Sequence, residues 1–194
     1  MTAFVLAAFF LVVTPGPGVL STAGVGSAFG FRAGLPYLSG IVIGSLLVMA
    51  AVVTGLAAFL FSYPPLRVVL LAVSAAYLLY LAFRIATAGS GIAIAAAERP
   101  LRFVNGILLQ IINPKAYAVM TALFTGFAFY PQNTLIESMI KAVVFTAISV
   151  PVHLLWLYMG AILKRLALGP GAARAVNIVM ALAMVAVVAL AALS

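Results

Sequence analysis

The sequence predicts an all-α membrane protein in which six transmembrane helices form an inverted 3+3 repeat, with helices one and four broken. Three observations predict this fold. Of the 194 residues, 67% are apolar and 6% are charged, too few charged side chains to cover a soluble domain. Charged residues and Pro/Gly clusters divide the chain into six apolar segments. Prolines interrupt the first and fourth segments at corresponding depths.

Each segment approaches the roughly 20 residues that cross a hydrocarbon core of about 30 Å. Helices are expected because the segments lack alternating polarity and a helix satisfies its own backbone groups in lipid. The predicted spans are 2–27, 37–61, 67–88, 103–129, 138–163 and 175–193. No basic residue precedes the first apolar run, so we interpret it as a retained span and not as a secretory signal. Residues 1–194 form one transmembrane domain, with repeat halves of about 1–97 and 98–194.

Nine of the ten basic residues lie at segment ends, Lys115 lies within span four, and the ten do not gather on one face, which argues against a nucleic-acid partner. Basic residues are retained on the cytoplasmic side of membrane proteins. Arg67 and Lys141 lie on one side of the predicted bundle. Seven others lie in the odd-numbered loops: Arg32, Arg84, Arg99, Arg102, Lys164, Arg165 and Arg174. Both termini are therefore predicted on the outer face.

Two interruptions lie half a chain apart, at "TPGPG" (14–18) in span one and "NPK" (113–115) in span four. Each proline removes a backbone donor, so nearby carbonyls and amides lose helical partners. Repeats of three spans enter the membrane inverted, and paired broken helices form the midplane substrate site of many secondary transporters. The alternative is that each proline is an ordinary helix kink.

The two interruptions predict a binding site for a small molecule with a carboxylate, such as a zwitterionic amino acid. A half-helix starting near Pro17 directs its positive dipole end at an anion, and Lys115 needs a partner or a wet cavity within its span. A snorkelling structural lysine is the alternative. We expect carbonyls near Thr14 and Asn113 to accept the amine. The predicted substrate-binding residues are Thr14, Pro15, Gly16, Pro17, Gly18, Asn113, Pro114 and Lys115.

His153, the one histidine of the sequence, is a candidate proton carrier together with Lys115. A histidine that is simply hydrogen-bonded between helices is the alternative. Glu98 and Glu137 are both expected in loops, which leaves no carboxylate at the midplane. With no cysteine and two acidic residues, no metal site and no cofactor are predicted.

A "GIVIG" pair in span two, Gly40 and Gly44, predicts close helix packing. The packing partner is a helix of the same chain or of a second copy, so a homo-oligomer stays open.

Four ordered motifs, "TPGPG", "GFRAGLPYLSGIVIG", "AAYLLYLAFRI" and "RFVNGILLQIINPKAYAV", resemble the LysE/RhtB superfamily of amino-acid exporters over nearly the whole chain. The resemblance implies a multi-pass bacterial inner-membrane carrier that exports amino acids or close derivatives, driven by the proton motive force. The Leu109–Gln110 pair and "RAVNIVMAL" resemble the branch that exports threonine, homoserine or cysteine. The family's Pro-Gly-Pro-Asn motif has Gly18 in place of its Asn here, which bears on substrate identity.

Three other functions are alternatives to a carrier. An intramembrane enzyme would need a Ser/His/Asp set or paired carboxylates within the spans, and the sequence offers neither. An accessory or scaffold subunit has no use for a buried lysine beside two matched interruptions, although a chain of 194 residues is small enough to need a partner. A channel for small solutes differs from a carrier in lacking saturable, energy-dependent flux.

Overall fold

The structure, a computed structural model, describes residues 1–87 and 101–165 and a discontinuous set of residues between 171 and 186. Within these ranges the chain is helical and contains no strand. The helices are α1 (Thr2–Val13), α2 (Pro17–Phe29), α3 (Phe31–Val53), α4 (Leu56–Ser62), α5 (Pro64–Thr87), α6 (Phe103–Ile112), α7 (Pro114–Thr125) and α8 (Thr134–Arg165).

Two helices of the described part, α3 and α8, are long and apolar enough to cross a membrane, over Phe31–Val53 and Thr134–Ile162. Two more candidate spans are bent pairs, with α1 and α2 meeting at 50° and α6 and α7 at 67°. Spans one and four are thus interrupted, as the prolines predict. Predicted span three corresponds to α5, whereas span six falls largely outside the described residues, so the count of six and the inverted repeat stay predictions.

Span two differs from its predicted range of 37–61. Gly30 has a φ of 89° and reverses the chain in a single residue, so α3 begins at Phe31 and "GFRAGLP" is helical after its first glycine. Gly55, with a φ of 77°, separates α3 from α4. A left-handed backbone suits glycine because a side chain would be strained there, and span two is consequently two helices.

Glycines bring backbones together at one end of the bundle. Gly26 of α2 lies against the Leu157 carbonyl of α8, and Gly160 of α8 lies against the Ala23 carbonyl of α2. In the same way, Gly40 of α3 lies against the Phe103 carbonyl at the start of α6. The predicted packing of the glycine pair in span two is therefore confirmed, and its partner is a helix of the same chain.

The other end of the bundle, where α1 begins and α7 ends, packs through side chains. The Phe4 ring makes edge contacts with Phe127 and Phe129, at centroid distances of 5.8 and 5.9 Å. Neither α1 nor α7 contains a glycine. Side chains of both helices instead belong to one apolar cluster, which includes Phe4, Val119 and Leu123.

Glu137 does not lie in a loop, contrary to expectation. The Asn133 side chain accepts a hydrogen bond from the Ile136 amide at 3.0 Å, and this cap lets α8 begin at Thr134, so Glu137 falls in its first turn. Its carboxylate pairs with Lys141 at 2.6 Å, and both residues are buried. Glu98, the other acidic residue, lies outside the described residues.

Candidate functional site

The two helix interruptions begin new helices with proline at the first position. Pro17 opens α2 and Pro114 opens α7, positions at which a missing amide hydrogen is tolerated because no helical partner exists there. The first backbone bond of α2 runs from the Leu20 amide to the Gly16 carbonyl at 3.0 Å. The amides of Gly18 and Val19 precede this bond, and they form the positive end of the helix.

Lys115 joins the two interruptions. Its Nζ donates to the Thr14 carbonyl at 2.6 Å and lies 3.4 Å from the Pro15 carbonyl. These carbonyls directly follow α1, which ends at Val13, and helical partners are missing there. Gly16 makes room for this contact, because a Cβ there would lie 2.7 Å from Cδ of Lys115. Residues about one hundred positions apart in the sequence thus meet at one place.

A chain of amide and hydroxyl groups continues from Lys115 across the bundle. The Asn113 side-chain oxygen accepts from the Lys115 amide at 3.1 Å, and its nitrogen donates to Gln110 Oε1 at 2.9 Å. Gln110 Nε2 in turn donates to Ser45 Oγ at 2.6 Å. Asn113, Gln110 and Ser45 are buried, so these bonds fix the orientation of both amides.

His153 faces Gly18 from α8. Its Nδ1 lies 2.8 Å from the Ser149 carbonyl oxygen, which accepts hydrogen bonds but cannot donate, so Nδ1 carries the proton and Nε2 has a free lone pair. The Nε2 atom lies 3.3 Å from the position that a Cβ of residue 18 would occupy. The lone pair of the imidazole therefore points at the start of α2.

These groups line one cavity, which together with its open mouth has an empty volume of about 420 Å³. Of the eight predicted substrate-binding residues, Thr14, Gly16, Gly18, Asn113 and Lys115 line this cavity. Pro15, Pro17 and Pro114 shape the two interruptions. Apolar side chains complete the wall: Leu11, Val12, Val19, Ala116, Val119, Met120 and Phe145.

Three polar lining residues were not among the predicted site residues: Ser45, Gln110 and Ser149. Gln110 is detectable from the sequence, because it is an amide within a span, one turn before Asn113, and polar side chains within spans tend to mark functional positions. Ser149 lies one turn before His153 and could be found in the same way. Ser45 has no such signal, because a serine on an apolar helix commonly bonds its own backbone, as Ser45 does to the Ile41 carbonyl at 2.9 Å.

The family model described as LysE type translocator matches residues 9–194, which includes both interruptions and every residue of the site. No curated protein matches the chain, and no solved structure matches it. The matched family consists of membrane transport proteins and not of enzymes, in keeping with the apolar helices. The chain therefore belongs to the LysE type translocator family.

Proposed function

We propose that this protein is a secondary carrier that exports amino acids or close derivatives across the bacterial inner membrane, in exchange for protons. Small neutral amino acids such as threonine, homoserine or cysteine are the proposed substrates. The observation that carries the proposal is the contact between Lys115 Nζ and the Thr14 carbonyl, 2.6 Å apart, because it places a cation and two helix interruptions around one cavity. Such a cavity is where many secondary transporters bind substrate.

The substrate carboxylate binds Lys115 and the amides that begin α2. The ammonium of Lys115 is the cation of the cavity lining, and the first amides of a helix favour an anion. Gly16 and Gly18 leave the backbone open to close approach. Charge-assisted hydrogen bonds of this kind are about twice as strong as neutral ones, and they select a molecule with a carboxylate.

Differences between equivalent helix pairs support a carrier over a channel. If the two three-helix units are equivalent, α2 on α8 corresponds to α7 on α3, and α3 on α6 corresponds to α8 on α1. The pairs α2 on α8 and α3 on α6 pack backbone on backbone at Gly26, Gly160 and Gly40. Their equivalents, α7 on α3 and α8 on α1, pack through the side chains of one apolar cluster. Alternating access exchanges the packing of such equivalent pairs around a fixed site.

Transport in everted membrane vesicles tests the proposal. Energised vesicles that contain the wild-type protein should accumulate labelled threonine or homoserine saturably, and Lys115→Met should abolish the uptake while keeping most of the side-chain volume. Arg32→Gln is the matched control, because Arg32 is exposed and lies outside the cavity lining. Uptake by Lys115→Met at the wild-type rate would refute the site, and flux that neither saturates nor needs energy would identify a channel.

A further inference from the structure

We propose that the substrate's ammonium group and the coupling proton compete for one place in this cavity, between His153 Nε2 and Gln110 Oε1 beside Gly18. The inference rests on the proposed function. It follows from two hydrogen-bond acceptors in the cavity wall that each have a lone pair without a donor among the described residues.

His153 supplies the first acceptor. Because Nδ1 donates to the Ser149 carbonyl at 2.8 Å, the neutral ring has its lone pair on Nε2. His153 is 5% exposed and lines the cavity, and no group in the described part of the chain donates to this nitrogen. A buried acceptor without a partner is unfavourable, and a ligand that donates a hydrogen bond would remove that penalty.

Gln110 supplies the second acceptor. Its Oε1 accepts one hydrogen bond, from Asn113 Nδ2 at 2.9 Å, and a carbonyl oxygen has two lone pairs. Its Nε2 is held by Ser45 at 2.6 Å, which prevents the amide from rotating to present a donor. The oxygen is thus fixed toward the cavity.

Gly18 lets the start of α2 lie close to both acceptors. A Cβ at this position would lie 3.3 Å from His153 Nε2 and 3.5 Å from Gln110 Oε1, so the two acceptor atoms lie within about 7 Å of each other. A group in the cavity that donates to both acceptors needs at least two N–H bonds. A primary ammonium has three and carries the positive charge that strengthens both contacts.

The carbonyls expected to accept the amine already have donors. The Thr14 carbonyl accepts from Lys115 Nζ at 2.6 Å, and the Asn113 carbonyl accepts from the Ala116 amide at 3.0 Å. An ammonium at either place would share an occupied oxygen, and at Thr14 it would also meet the positive charge of Lys115. The two acceptors beside Gly18, on α8 and α6, are not bonded to Lys115.

The spacing suits a compact zwitterion. Lys115 touches the chain at Gly16, and the Cα atoms of Gly16 and Gly18 can lie at most about 7 Å apart. An α-amino acid with its carboxylate on Lys115 can place its ammonium beside Gly18 across this distance. A molecule whose two charges are widely separated cannot.

Protonation of His153 closes the same subsite. An imidazolium donates at both nitrogens and accepts at neither, so a proton on Nε2 and a substrate ammonium exclude each other. Lys115, on α7, is the other titratable group that lines the cavity, while the polar groups presented by α3 and α6 are the hydroxyl of Ser45 and the amide of Gln110. Mutual exclusion of substrate and proton at one atom is a physical basis for antiport.

Binding to the purified protein tests the subsite directly. Trp156, the one tryptophan of the sequence, lies one turn after His153 on α8, so its fluorescence reports ligand binding. The probes are two matched pairs, L-threonine with β-hydroxybutyrate and L-homoserine with γ-hydroxybutyrate, which differ in the amino group. The wild type should bind each amino acid at least about tenfold more tightly than its deaminated partner, as expected for a charge-assisted contact.

The pH series identifies the titrating group. From about pH 8 to about pH 5, where an imidazole gains its charge, amino-acid affinity of the wild type should fall as the proton takes Nε2. His153→Gln offers an oxygen acceptor that does not titrate, so this variant should bind threonine with an affinity that no longer depends on pH. The wild-type affinity for the deaminated acids should not fall with acidification, because the imidazolium adds a positive charge near their carboxylate.

Gly18→Ala tests the geometry separately. Its methyl group would lie 3.3 Å from His153 Nε2 and 3.5 Å from Gln110 Oε1, so amino-acid affinity should fall at least about tenfold more than the affinity for β-hydroxybutyrate does. Thermal unfolding in detergent shows that the variant is folded. Gly171→Ala, at which a Cβ meets no atom within 4 Å, is the matched control and should bind every probe like the wild type.

Two outcomes overturn the inference and leave the proposed carrier intact, provided that the wild type exchanges threonine in proteoliposomes. The first is equal wild-type affinity for threonine and β-hydroxybutyrate. The second is that threonine binding by His153→Gln depends on pH as it does in the wild type. If the wild type neither binds nor exchanges any amino acid, the proposed function itself is wrong. Transport by the wild type therefore separates the two failures.

Discussion

A methyl group at Gly16 tests whether the position of Lys115 matters. The Gly16 backbone is extended, with a φ of −170°, so alanine can adopt it without strain. The added Cβ would lie 2.7 Å from Cδ and 2.9 Å from Nζ of Lys115. Carbon atoms in contact lie about 3.5–4.0 Å apart, so the lysine must retreat by about 1 Å.

This retreat would break the contact that joins the two interruptions. It lengthens the hydrogen bond from Nζ to the Thr14 carbonyl, now 2.6 Å, beyond the usual limit of about 3.2 Å. A hydrogen bond to a charged group is worth about 1.5–3 kcal/mol, so kcat/KM for transport should fall by about tenfold to a hundredfold. The lysine end is flexible and partly exposed, so the Tm should change by at most about 3 °C.

The assay compares Gly16→Ala with the wild type and with Gly171→Ala, where an added Cβ meets no atom within 4 Å. Initial rates of labelled threonine exchange in proteoliposomes give kcat/KM, and thermal unfolding in detergent gives the Tm of the same preparations. Gly16→Ala should lose transport and keep its Tm. Wild-type kcat/KM in Gly16→Ala would show that the Lys115–Thr14 contact is not needed, and the reasoning from this contact would then be wrong.

Two further predictions concern the packing around the site. In Gly160→Ala the new Cβ would meet the Ala23 carbonyl of α2, and overpacking against backbone should lower the free energy of unfolding by about 1–3 kcal/mol. Denaturant titration measures this value, and an unchanged value would show that α2 and α8 can separate freely. Lys141→Met should lower the Tm more than Glu137→Gln, because Lys141 bonds the carbonyls of Phe124 and Phe127 as well as the Glu137 carboxylate. The opposite order of Tm values would contradict this interpretation.

A site residue can be predicted from the sequence when its effect depends on its neighbours in the chain. Proline and glycine act locally, so Pro15, Pro17 and Pro114 place both interruptions from the sequence. Glu137 shows the reverse case. Its loop assignment followed from its charge, but the Asn133 cap and the Lys141 ammonium place it inside a helix.

The sequence by itself determined that the chain is a helical membrane protein, that spans one and four are broken, and that a lysine lies beside the second break. Apolar content, proline chemistry and the cost of a charge in lipid suffice for these conclusions. The tertiary structure alone decided that Lys115 reaches Thr14 and that His153 and Gln110 face Gly18. Those contacts depend on how close the helices approach, and the glycine contacts that set this distance join residues far apart in the chain.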